Sequence, residues 1–208
     1  MRVAGVVLAG GQARRMGGGD KCLRRLGGVT LLERILVRAR PQVEALVLNA
    51  NGPPGRFAAY GLPVVADSLP GHAGPLAGIL AGLDWAAEHA PGCSHLVSIA
   101  GDAPFFPTDL VARFAAAVET EGGELACAAS SGRTHPVFGL WPVVLREALR
   151  RALHEEGIRK VDQWTARYSC VLVEYPALPY DPFFNANRPE DLAAAERLVP
   201  AEQGFDQI

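Results

Sequence analysis

Short apolar runs alternate with helical stripes along nearly the whole of this chain, and that alternation constrains the fold more than any single motif. Val3 to Leu8 reads as a strand buried on both faces. The segment 30–40 has helical spacing, with Thr30 and Glu33 set as a capping box. β-rich runs follow at 45–51 and 62–68, then a helix at 75–89 after a Gly-rich turn, then an apolar strand that starts at His95 and stops at Gly101 and Asp102. Pro107 opens a further helix with Leu110, Phe114 and Val118 on one face. Runs at 124–130 and 135–141 read as two more strands, and Pro142 starts a helix with Leu145, Leu149 and Leu153 on a common stripe. A strand at 170–175, a short extended piece at 183–187 and a last helix over 188–198 complete the pattern, with Asn187 as N-cap and Glu190 three residues on. Such alternation implies right-handed crossovers and a three-layer α/β/α fold with a mostly parallel sheet.

The chain has 208 residues, which suits one α/β domain, expected over 1–200 with a flexible tail at 201–208. Its residues are 49% hydrophobic and 20% charged, with a formal net charge of -2, so it can bury a sizeable core. It shows none of the global basicity that favours nucleic acid or anionic membranes, and any anion site must be local. Cys22, Cys93, Cys127 and Cys170 are widely spaced and suggest neither a zinc site nor a disulfide framework. Cys22, beside Lys21, reads as a small buried hydrophobe or as a perturbed thiolate. The apolar start is too short for a signal sequence, and no run approaches the roughly 18 apolar residues of a membrane span. A reduced, cytoplasmic, soluble protein is expected.

In open α/β sheets ligands sit at the carboxyl ends of the strands. Asn49, Asp67 and Asp102 each end a β-like run and should share one rim with the loop that follows Leu8. In that loop, Gly10 and Gly11 offer backbone amides to an anion without a Cβ in the way, and they open dihedrals closed to other residues. Its spacing is neither G-x-G-x-x-G nor a Walker loop, since Lys21 follows Asp20 and no Ser or Thr comes next. Arg14, Arg15 and Lys21 are three cations able to neutralise a triphosphate; the alternative is a surface loop with solvated basic residues.

The stretch LAGGQARRMGGGDK at 8–21 is similar to the signature of the Rossmann-like nucleotidyltransferases that act on pterin and sugar phosphates. It most closely resembles the MobA-type molybdenum cofactor guanylyltransferases. NAN at 49–51, DS at 67–68, GPLAGI at 74–79, GDAPFFP at 101–107, HPVFGLW at 135–141 and NANRPEDL at 185–192 fall in the family's order.

The resemblance implies that Leu8, Ala9, Gly10 and Gly11 hold the guanine nucleotide, with the glycine at the third position making room for the purine where cytidylyl relatives tend to carry LAAG. It implies that Lys21 contacts the nucleotide phosphates with help from Arg15, that Asn49 and Asp67 bind nucleotide, and that Asp102 binds Mg²⁺. Asn185 and Asn187 match asparagines on the pterin or metal side, though Asn187 also reads as a helix cap. His135 is a candidate for the pterin side and equally a strand-end residue before Pro136. The family's frequent Cys-Asp-Thr-Pro is replaced by Gly101-Asp102-Ala103-Pro104. The implied reaction is transfer of GMP from GTP to molybdopterin with release of pyrophosphate, and the implied partners are the molybdenum insertase and acceptor molybdoenzymes or their chaperones. The alternatives are a CTP-using or sugar-phosphate nucleotidyltransferase of the same fold, and a non-catalytic carrier of GTP or pterin.

Overall fold

The structure is a computed structural model and describes residues 1–10, 19–69, 74–186 and 188–198. An interior strand, β1 (Val3–Leu8), is apolar on both sides, with Val3 and Val7 in one core and Ala4 and Val6 in the other. A hairpin, β2 (Arg25–Leu26) and β3 (Val29–Thr30), leads into α1 (Leu31–Ala39). Then come β4 (Ala45–Asn49), β5 (Val64–Val65), α2 (Pro75–His89), β6 (His95–Ala100) and α3 (Leu110–Glu121). β7 (Leu125–Ser130), β8 (Arg133–Pro142), α4 (Arg146–His154), α5 (Val161–Thr165), β9 (Cys170–Tyr175) and α6 (Pro189–Leu198) complete the order.

The main sheet has seven strands in the order β5-β4-β1-β6-β8-β7-β9. Leu8 lies opposite Asn49 on one side and Ala100 on the other, in parallel register. The chain leaves β1 for β4 and later returns to its other flank as β6, so the strand order reverses at β1. A crevice therefore opens at its carboxyl end. β8 runs antiparallel to both β6 and β7. The reason is the two-residue link Ser131-Gly132, at φ 49° and 71°, a left-handed turn that can only return the chain beside β7.

The sheet is covered on both faces. Leu32, Ile35 and Leu36 of α1 and Leu110 and Phe114 of α3 pack with Val7, Leu48 and Ile99. Ile79, Leu80 and Leu83 of α2, Leu149 and Leu153 of α4 and Trp164 of α5 pack with Val6, Val47 and Leu96. Each fully buried Leu or Ile contributes about 1.5–3 kcal/mol.

The expected capping box is present: Thr30 Oγ1 accepts from Glu33 N–H at 3.1 Å, and Glu33 accepts from Thr30 N–H at 2.5 Å. Several expected boundaries move, the runs at 45–51 and 62–68 shortening to β4 and β5. α3 begins at Leu110, because Pro107 serves the preceding turn, where its carbonyl accepts from Leu110 N–H. β8 runs through Pro142, and one 3-10 turn, Val143–Leu145, precedes α4. The segment 183–186 joins no strand; Ala186 N–H instead donates to the Asp102 carbonyl at 3.0 Å. The expected tail lies outside the described residues.

Candidate active site

A cavity of about 800 Å³ lies outside the carboxyl ends of β1, β4 and β6. Of the residues expected at a site, it gathers Leu8, Ala9, Gly10, Lys21, Asn49, Asp67, Asp102, His135 and Asn185. Gly11, Arg15 and Asn187 lie outside the described residues.

The floor is fixed by backbone. Ala9 N–H donates to the Asn49 carbonyl at 2.8 Å and Gly101 N–H to the Leu8 carbonyl at 3.1 Å. Gly10 is exposed, and a Cβ built on it would meet only the Ala50 Cα, at 3.9 Å. Among the described residues no packing contact demands this glycine, and its φ is not the left-handed one expected of it. Gly74 and Pro75, at the N-terminus of α2, line the same space, so the positive end of that helix dipole faces it.

Lys21 and Asp102 meet at 2.5 Å, both largely buried. Lys21 stands on a single 3-10 turn, Lys21–Leu23, held from two sides. Cys22 is buried below it with Sγ 3.7 Å from the Ala9 carbonyl, and burial, with Asp20 adding to it, pushes the thiol up to about 12. It is a buried hydrophobe, not a reactive thiolate. On the other side Arg56 Nε donates to Asp20 at 2.5 Å, while its Nη2 donates to the Asn51 carbonyl at 2.6 Å.

The opposite wall is an amide and carboxylate network. Asn49 Nδ2 donates to Asp67 Oδ1 at 3.0 Å and Asn51 Nδ2 to Asp67 Oδ2 at 2.8 Å; Asp67 N–H returns to Asn51 Oδ1 at 2.9 Å. Asn49 is buried under α2, and the helix approaches this closely because residue 78 is glycine. A Cβ there would collide with the Asn49 amide oxygen and come within 2.8 Å of Leu8 Cδ2.

Across Asp102 from that wall, His135 is half-buried and stacks on Phe183 with centroids 4.7 Å apart. Burial holds its imidazole below the usual histidine range, against the pull of Asp181. Asn185 is exposed in the cavity, on the segment that Ala186 ties to Asp102. Sequence reasoning missed Asn51, Arg56 and Gly78, and it missed Ser130 and Asp181 behind His135. Asn51 and Gly78 lay inside quoted motifs; the others carry no local signal.

The model of the MobA-like NTP transferase domain matches residues 5–169. The molybdenum cofactor guanylyltransferase of Bradyrhizobium sp. (strain ORS 278) is 62% identical over 200 residues, covering 96% of this chain and 94% of that protein. The chain belongs to the MobA-like molybdenum cofactor guanylyltransferase family. The crystal structure of molybdopterin-guanine dinucleotide biosynthesis protein A from Archaeoglobus fulgidus superposes with a TM-score of 0.72 at 26% identity, covering 94% of this chain and 97% of that one. A Mycobacterium tuberculosis protein solved as a manganese complex shares the fold at 19% identity, with a TM-score of 0.68 and coverage of 96% and 100%.

Set against the family's frequent Cys-Asp-Thr-Pro, the replacements here have packing reasons. A Cβ on Gly101 would lie 2.5 Å from the Leu8 carbonyl oxygen, so a cysteine cannot enter without moving β1. Ala103 is fully buried, where a threonine hydroxyl would need a partner of its own. The acid between them keeps its place at the end of β6. No helix among the described residues is long and apolar enough to cross a membrane.

Proposed function

We propose that this chain transfers GMP from GTP to molybdopterin, releasing pyrophosphate and forming molybdopterin guanine dinucleotide. The observation that carries the reading is one cavity that joins the Lys21–Asp102 pair to the Asn49–Asp67 wall, with Gly10 lining it between strand β1 and the loop. Relatives at 62% and 56% identity are molybdenum cofactor guanylyltransferases, which supports the guanine donor and the pterin acceptor.

Leu8, Ala9, Gly10, Asn49 and Asp67 take the nucleotide, with Gly11 completing the loop. Lys21 leaves Asp102 for the incoming phosphates and, with Arg15, stabilises charge on the departing pyrophosphate. A hard divalent cation needs carboxylate oxygen and takes only one or two protein ligands besides phosphate and water. Asp102, with the Asn185 amide in the same cavity, meets that need for Mg²⁺; among the described residues no group of three or more His, Cys, Asp or Glu offers a rival metal site. When bound, the ion supplies charge neutralisation to the triphosphate. A phosphate monoester is already an anion near neutral pH, so no side-chain nucleophile is required and positioning supplies most of the catalysis. Asn187 belongs with Asn185 on the pterin or metal side. Residues 1–200 act as one domain in the cytoplasm, handing the product to acceptor molybdoenzymes or their chaperones and meeting the molybdenum insertase. The test is whether pyrophosphate release requires both GTP and molybdopterin.

A further inference from the structure

Ser130 ends β7 fully buried, and its hydroxyl has two partners: Asp181 Oδ1 at 2.9 Å and His135 Nε2 at 2.7 Å. A serine hydroxyl has one proton to give, and a carboxylate oxygen only accepts. The proton therefore goes to Asp181, and His135 must donate from Nε2 to the serine lone pair. Asp181 Oδ1 also accepts from Phe183 N–H at 2.9 Å, which anchors the carboxylate end of the chain. The imidazole is neutral at pH 7, because burial and Arg133 push it down harder than Asp181 and Glu174 pull it up. One ring proton remains, and it sits on Nε2. Nδ1 is a lone pair, with no hydrogen-bond partner among the described residues.

The fold turns that lone pair to use. Pairing between β7 and β8 slips between Cys127 and Ala128, which face Gly139 and His135, so Pro136, Val137 and Phe138 bulge out and line the cavity. Such bulges re-aim side chains beside sites. His135 lines the cavity too, whereas Ser130 and Asp181, which hold its Nε2 side, do not. Strand order puts β8 beyond β6 from β4, so His135 and Asn49 flank Asp102 from opposite sides.

We propose that His135 is a specificity-determining residue of the acceptor half of the site: Ser130 and Asp181 lock it as the Nε2–H tautomer, and Nδ1 accepts a hydrogen bond from an N–H of the acceptor's fused heterocycle. A lone pair repels anionic phosphate oxygens, so the phosphate of the acceptor is not its partner; a fused aminopyrimidinone, with an exocyclic amine and a ring N–H, is. The identity of the acceptor rests on the guanylyl-transfer reading above.

Two measurements decide it. Long-range ¹⁵N–¹H correlation spectra of the free protein, with His135→Gln to assign the signals, should show His135 with its proton on Nε2 at pH 7; a proton on Nδ1, or an imidazolium, overturns the lock. Steady-state kinetics should show His135→Ala raising KM for molybdopterin about tenfold, as expected for one lost hydrogen bond in a desolvated site, with the Kd for GTP unchanged. His135→Asn, whose amide oxygen falls near the Nδ1 position, should recover part of the loss, and His135→Gln should not. An unchanged KM in His135→Ala overturns the proposal. Absence of transfer to molybdopterin by the wild-type protein would overturn the guanylyl-transfer reading instead, and the tautomer measurement would still decide the lock.

Discussion

Lys21 and Asp102 pair at 2.5 Å, and under the proposed function each is the partner the other gives up when a triphosphate arrives. Asp102→Asn keeps the shape and the hydrogen-bonding edge while removing the charge. Turnover is expected to fall by about a thousandfold with an unaltered far-UV circular dichroism spectrum, the magnitude typical of removing one electrostatic contributor to a transition state; the melt should move down because Lys21 loses this charged partner, and retained turnover would remove the metal assignment. At this scale the sequence was informative wherever a residue ended a strand. Asn49, Asp67 and Asp102 could be placed on one rim because a strand's end is a local property. Asp181 could not, because its link to Ser130 joins residues 51 apart and depends on how the chain after β9 returns to β7. Of the two properties expected of Gly10, the absence of a Cβ leaves it without a close contact among the described residues, whereas its φ is not left-handed.

Among the elements, α2 decides how the Asn49–Asp67 wall is built. Gly78 and Gly82 both face β1: a Cβ on the first would strike Asn49, and one on the second would lie 2.8 Å from Val6. Gly78→Ala is expected to push the Asn49 amide from Asp67 and weaken GTP binding about tenfold or more by calorimetry, with overpacking costing about 1–3 kcal/mol of stability. Unchanged affinity would mean that Asn49 does not touch the nucleotide. α1 makes a separate prediction about stability. The Thr30 N–H holds the Glu33 carboxyl below the usual carboxylate range, with burial opposing. Its folded value lies below its unfolded one, so the contribution is present at neutral pH and is lost as pH falls through the folded value. Thr30→Ala should cost about 1 kcal/mol through loss of the Oγ1 acceptor, whereas Glu33→Ala should lower Tm at pH 7 by a difference that shrinks in acid. The capping box was legible because its partners are three positions apart; α5 and the β2–β3 hairpin were not, being too short to show a period.

For the whole molecule, alternation of strands and helices was enough to give the layers and the rim. It missed the direction of β8, which is set by two residues, Ser131 and Gly132, and not by any long pattern. That reversal matters, because it brings the start of β8, with His135, to the same rim as the ends of the parallel strands. One cavity thus holds Asn49 and Asp67 on one side and His135 on the other, with Asp102 between them, which the proposed function reads as a nucleotide wall and an acceptor wall. The account's central claim is that this cavity joins a guanine nucleotide to a pterin. The most direct test incubates the protein with Mg²⁺ and each nucleoside triphosphate in turn, with and without molybdenum-loaded molybdopterin, and measures both pyrophosphate and the nucleotide attached to the pterin. Release that requires molybdopterin and prefers GTP is the predicted result. Preference for CTP would contradict the reading of Gly10 as room for guanine, and binding without release would make the protein a carrier.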